Sequence, residues 1–204
     1  MLRELVRQGD DAEPLELNAF VVSLFAENEQ EAIFKAATSF VDDTGTNSAA
    51  VLDMAIDEAL ERDLFDFARR IAASLDAPSD PAHGFTKIAK ATGDADDIRR
   101  VREAACAMDR EHDILPRAHA FLELFKLSGL DSDRREAELL GHLIVEEGYP
   151  CLAFGLFADE ARTTLCLKDY LRALRCFEES DRLGDRPPDA LEELLGHLID
   201  ADNR

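Results

Sequence analysis

Long hydrophobic runs are missing from this sequence. The longest obvious uncharged stretch, Gly148–Ala158 (GYPCLAFGLFA), falls well short of the roughly 20 residues that cross a bilayer. The start, MLRELVRQGDDAEPLEL, has no apolar segment of signal-peptide length. Val-x-Val alternation bounded by turn pairs is also missing, which argues against strands. None of the four cysteines, Cys106, Cys151, Cys166 and Cys176, forms a C-x-x-C pair. All four lie among apolar neighbours and read as buried free thiols of a reducing, cytoplasmic compartment. Lysine is scarce: Lys35, Lys87, Lys90, Lys126 and Lys168 are the whole set. Against 44 acidic residues stand 23 basic ones, a net charge of −21. Such a field repels nucleic-acid phosphates and anionic membranes, so neither is an expected direct partner. An acid-rich, lysine-poor surface suits a high-salt cytoplasm, and GC-rich coding explains the arginines equally well. No Walker loop, G-x-G-x-x-G, H-E-x-x-H or nucleophile elbow occurs, so no catalytic residue, metal ligand or cofactor is assigned.

What remains is helix. Apolar residues recur at spacings of three and four almost throughout, as at Phe121, Leu122, Leu124 and Phe125. Breaks near Glu27–Glu29, Asp43–Asn47, Glu61–Asp63, Ala77–Pro81, Gly93–Asp96, Glu111–Asp113, Ser128–Asp131, Glu147–Pro150, Leu165–Lys168 and Gly184–Pro188 cut the chain into helices of about 12–17 residues. Ser79, Asp94 and Asp131 are the expected N-caps. Connections this short join antiparallel neighbours.

Four segments align on Ala68, Val101, Ala137 and Ala173, spaced 33, 36 and 36. Each has a small or apolar residue four positions later: Ala72, Ala105, Gly141 and Phe177. Three have a bulky apolar residue three or four positions earlier, and Asp133/Arg134 is the exception. KDYLRALRCFEES, with Tyr170, Ala173 and Phe177, resembles the second helix of the tetratricopeptide repeat, and ATGDADDIRRVREAA resembles its inter-helix turn. The resemblance runs from about Ser48 to the C-terminus. It implies an all-α chain of antiparallel helical hairpins stacked as a short right-handed α-solenoid. The expected organisation is one domain over 1–204, of about five hairpins, with 187–204 as a C-terminal capping helix.

Candidate chemistry is sparse. ELLGHLI occurs twice, at Glu138–Ile144 and Glu193–Ile199. Leu139, Leu140, Leu143 and Ile144 form one stripe, with Gly141 on one flank and His142 on the other. A mid-helix glycine costs about 1 kcal/mol relative to alanine and marks a close backbone approach. His142 has only Glu138 and Glu146 within a helical turn, short of a metal site, and is read as a solvated flank. VDDTGT, Val41–Thr46, looks like an aspartic protease signature, but it closes a helix and has no second copy. Two islands without carboxylates stand out, Pro81–Gly93 and Ile114–Leu122. Their basic residues Lys87, Lys90, Arg117 and His119, with Lys126 further along, lie on first helices of hairpins. They are the candidate partner-binding residues of a groove.

The expected function is a non-catalytic scaffold or adaptor that binds a protein or peptide in a concave groove. One alternative is an acidic decoy occupying a basic nucleic-acid-binding protein. Another is an enzyme of unrecognised type using His142 or the Asp42/Asp43 region. Self-pairing of an exposed array end into a homodimer is left open.

Overall fold

The structure is a computed structural model that describes residues 48–75 and 77–184, together with 194 and 196. Those residues form eight α-helices and no strand. They are α1 (Ser48–Glu61), α2 (Phe65–Ala73), α3 (Ser79–Thr92), α4 (Ala95–Ala107), α5 (Ile114–Ser128), α6 (Asp131–Glu146), α7 (Pro150–Thr164) and α8 (Leu167–Leu183). No described helix is long and apolar enough to cross a membrane. The VDDTGT turn, His197 and the expected capping helix lie outside the described residues, apart from Leu194 and Gly196.

The chain divides into two compact units, Met1–Ala104 and Ala105–Arg204, and the boundary falls within α4. In the first, α1, α2 and α3 pack on one another. Leu52, Ile56, Phe67, Ile71 and Ile88 are buried between them. Gly84 on α3 allows this meeting: a Cβ there would stand 2.9 Å from Ile56 Cδ1 and 3.0 Å from Ala72 Cβ. In the second unit, α5 pairs with α6 and α7 with α8, while α7 also packs on α5 and α6. Phe121, Leu124, Leu140, Phe154, Phe157, Tyr170 and Phe177 make its core. The glycine of the first ELLGHLI copy has the role its flank position suggests. A Cβ on Gly141 would meet Phe157 Cζ at 2.7 Å and Leu156 Cδ2 at 2.9 Å.

The hairpins recur every 36 residues. The second helices α4, α6 and α8 begin at Ala95, Asp131 and Leu167. The first helices before them end against a left-handed residue: Gly93, Gly129 and Leu165. Glycine takes that conformation without a Cβ penalty; Leu165, at φ 52°, does not. Phe85, Phe121 and Phe157 share one repeat position and are all buried. Each carries a guanidinium over its ring. Arg100 and Arg172 supply it in the outer two copies. Where the middle copy has Glu136 at that arginine position, Arg117 covers Phe121 instead and pairs with Glu136.

Capping departs from expectation. Asp94 does cap, accepting the Asp96 N–H at 2.8 Å. Ser79 and Asp131 are instead the first residues of their helices, after Pro78 and Leu130, and neither N-cap residue makes a side-chain capping bond. The cysteines also differ: Cys176 is buried, Cys151 half-buried, and Cys106 and Cys166 exposed, all four free. Apolar sequence neighbours do not fix which way a helical side chain faces.

Candidate functional site

A polar device is built into three of the described hairpins, α3–α4, α5–α6 and α7–α8. The first helix ends in a hydroxyl residue, Thr92, Ser128 or Thr164, and the residue five positions on is a buried aspartate, Asp97, Asp133 or Asp169. The hydroxyl accepts the N–H two residues ahead, at Asp94, Leu130 and Cys166, over 3.1, 3.2 and 3.3 Å. It donates to the aspartate over 2.9, 3.0 and 2.6 Å. The turn is thereby fixed from both sides, at α6 and α8 in place of the side-chain caps that Leu130 and Cys166 do not make. At Asp97 the second partner is Arg69 of α2, in a bidentate pair at 2.8 and 2.7 Å. That guanidinium holds the Asp97 carboxyl below its ordinary range despite burial.

In the last copy this device extends into a five-residue network. Arg134 and Glu138 come from α6, Glu160 from α7, and Asp169 and Arg172 from α8. Arg134 donates to Glu160 at 2.7 Å and to Asp169 at 2.8 Å. Arg172 reaches Glu160 at 2.9 Å and Glu138 at 3.1 Å. Three carboxylates thus face two guanidiniums, one negative charge in excess. Glu160 is 2% exposed and Asp169 fully buried, so the excess is expensive. A proton resolves it. Burial, reinforced by neighbouring Glu138, pushes Glu160 up to about 7 against the pull of Arg134 and Arg172. Burial would raise Glu138 too, but the hydrogen bond from Glu160 and the charges of Arg172 and Arg134 hold it below its ordinary value.

This cluster offers two chemistries on paper. Carboxylate oxygens of Glu138, Glu160 and Asp169 lie within 4.8 Å of one another, close enough to share a metal ion. The two guanidiniums, however, already stand where a cation would bind and satisfy the same oxygens. A carboxyl poised near neutrality could also act as an acid or base. Glu160 and Asp169 are closed to solvent, so the network's work is to join α6, α7 and α8.

The residues expected to bind a partner are in varied settings. Lys87 pairs with Asp53 and Asp57 of α1 at 2.8 and 2.9 Å, and these carboxylates raise its pKa although burial opposes the charge. Lys90 is exposed on α3. Arg117 is buried, donating to Met108 O at 2.7 Å and to Glu136 at 3.2 Å. His119 is on the exposed side of α5, and the water lost around its ring draws its pKa down against Asp159 and Glu123. Lys126 pairs with Glu123 at 2.7 Å and Asp159 at 3.5 Å. Carboxylates from neighbouring helices therefore meet both islands that lack their own. His142 is exposed, with its ring centroid 5.4 Å from that of Phe157.

The exposed apolar residues form a different set. Leu130, Leu139, Leu143, Tyr149, Leu152, Leu165, Leu167, Leu171 and Leu183 are the large exposed hydrophobics among the described residues, and every one lies in the second unit. Leu139 and Leu143 are one turn apart on α6, as are Leu167 and Leu171 on α8. No family model, curated protein or solved structure matches the chain.

Proposed function

We propose that the chain is a non-catalytic interaction module of the cytoplasm, built of tetratricopeptide-like hairpins stacked as a short right-handed solenoid, and that it binds a protein or peptide. One observation carries this reading: among the described residues, the large exposed apolar side chains all lie in the second unit, with pairs on α6 and α8. Scattered surface leucines need no explanation, but leucines concentrated on two helices in a chain of −21 charge point to an apolar contact. The carboxyl raised toward neutrality, Glu160, is closed to solvent and held by two guanidiniums, which favours binding over catalysis. The surface of α6 and α8 is favoured over a groove through Lys87, Arg117 and Lys126, because those three are already paired internally.

Affinity capture from native lysate at low and high salt tests this, with wild type beside a Leu139→Lys/Leu171→Lys variant. A partner that survives high salt and is lost with the variant supports the reading. Partners that dissociate steeply with salt and ignore the variant would establish the acidic decoy in its place.

A further inference from the structure

We propose that the outer face of α6 and α8 receives the apolar side of an acidic amphipathic helix from a partner protein. This rests on the reading of the chain as an interaction module and adds the partner's chemistry.

Two independent features converge on the face. The first is apolar: Leu139 and Leu143 of α6, and Leu167 and Leu171 of α8, are each 36–61% exposed. The two helices are tied by the pairs Arg134–Asp169 and Arg172–Glu138 on their inner sides. Leucines at i and i+4 on the side turned to solvent make stripes of the kind that receive an amphipathic helix.

The second feature is charge. Among the described residues, nearly every arginine and lysine has an ion pair, a hydrogen bond or an aromatic ring to engage it. Arg135, Lys168 and Arg175 have none, and all three are exposed. Arg135 stands one turn before Leu139, Lys168 beside Leu167, and Arg175 one turn after Leu171. In a chain where acids outnumber bases 44 to 23, cations without partners are the exception. Their coincidence with the leucine stripes selects an anionic rim around an apolar core. Carboxylates of the face stand toward helix ends or beyond the cations: Asp131 and Glu146 on α6, and Glu178 on α8. The whole-molecule field would recruit basic partners, whereas this face complements an acidic one.

The test uses the full chain and two labelled helical peptides of about 15 residues. Both carry leucines at i, i+4, i+7 and i+11; the flanking positions are all Glu in one and all Lys in the other. Binding is read by fluorescence anisotropy, with vesicles containing phosphatidylserine as a third arm. The Glu peptide should bind more tightly than the Lys peptide. An Arg135→Glu/Arg175→Glu variant, unchanged in circular dichroism, should weaken it about tenfold. Tighter binding of the Lys peptide, no binding of the Glu peptide, or binding to vesicles instead would each overturn the proposal. If the Glu peptide fails while Leu139→Lys/Leu171→Lys still abolishes partner capture, the partner chemistry falls and the protein-binding reading stands. If the leucine variant also leaves capture intact, both fall.

Discussion

Replacing Glu138 by Gln should weaken the pH dependence that the buried network imposes. In the wild type, Glu160 holds a proton up to about pH 7, whereas the same carboxyl in the unfolded chain ionises around 4.5. The folded state therefore binds more protons between those values, and this contribution to stability is lost as pH rises from about 4.5 to about 7. The slope is at most about 1.4 kcal/mol per pH unit for one proton, and the whole effect at most about 3 kcal/mol. Glu138 has a lowered pKa, so its own contribution is lost only below about 4.5 and leaves the window clear. His119, with a lowered pKa, works in the opposite direction below its ordinary value of 6.5, but equally in both proteins. With Gln at 138, two carboxylates face two guanidiniums, and Glu160 loses the part of its rise that Glu138 supplies, while burial still raises it. At pH 5 the variant should be less stable by about 1–2 kcal/mol, having lost a charged hydrogen bond to Arg172. By pH 8 the gap should have narrowed by about 1 kcal/mol, the smaller share of the shift that Glu138 rather than burial supplies. Urea unfolding at pH 5, 6, 7 and 8 measures this. The chain has no tryptophan and two tyrosines, Tyr149 and Tyr170, both in the second unit, so intrinsic fluorescence reports that unit alone. A gap that stays constant from pH 5 to pH 8 would refute the shared proton.

Three further substitutions probe the packing. Gly141→Ala should destabilise by about 1–2 kcal/mol in thermal melts, because its Cβ would intrude on Phe157 and Leu156 by more than the gain in helix propensity returns. Leu165→Gly should stabilise by about 0.5–1 kcal/mol, since it gives the third repeat the left-handed glycine that Gly93 and Gly129 give the first two; unchanged or lower stability would count against strain there. Tyr170 is 1% exposed and its hydroxyl has no hydrogen-bond partner among the described residues, so Tyr170→Phe should be neutral or stabilising by about 1 kcal/mol, and a clear loss would reveal a partner.

Helix positions were legible in the sequence because the glycines at 93, 129 and 184 punctuate a strong spacing of three and four. The second-helix register on Val101, Ala137 and Ala173 was legible too, since all three are buried small or apolar residues. The hydroxyl-to-aspartate device lay in the same register, four residues earlier, but it was hidden by its chemistry. An acidic residue in the first turn of a helix reads as a solvated partner of the helix dipole, and 44 acids leave no contrast. One signal could have found it: Asp97, Asp133 and Asp169 each follow Thr or Ser by five residues at a strict spacing of 36. The surroundings of the islands at Lys87 and Arg117 were hidden for a related reason. Carboxylates absent from an island's own sequence arrive from neighbouring helices, Asp53 and Asp57 at Lys87 and Glu136 at Arg117, and no local pattern announces them. Residues Arg135, Lys168 and Arg175 looked ordinary until the pairing of every other described arginine and lysine set them apart.

The most direct test of the account is the affinity of a captured partner for wild type and for Leu139→Lys/Leu171→Lys, titrated by calorimetry at low and high salt. The outer face of α6 and α8 predicts a loss of at least about tenfold in the variant at both salts. Equal affinity for the two proteins would contradict it.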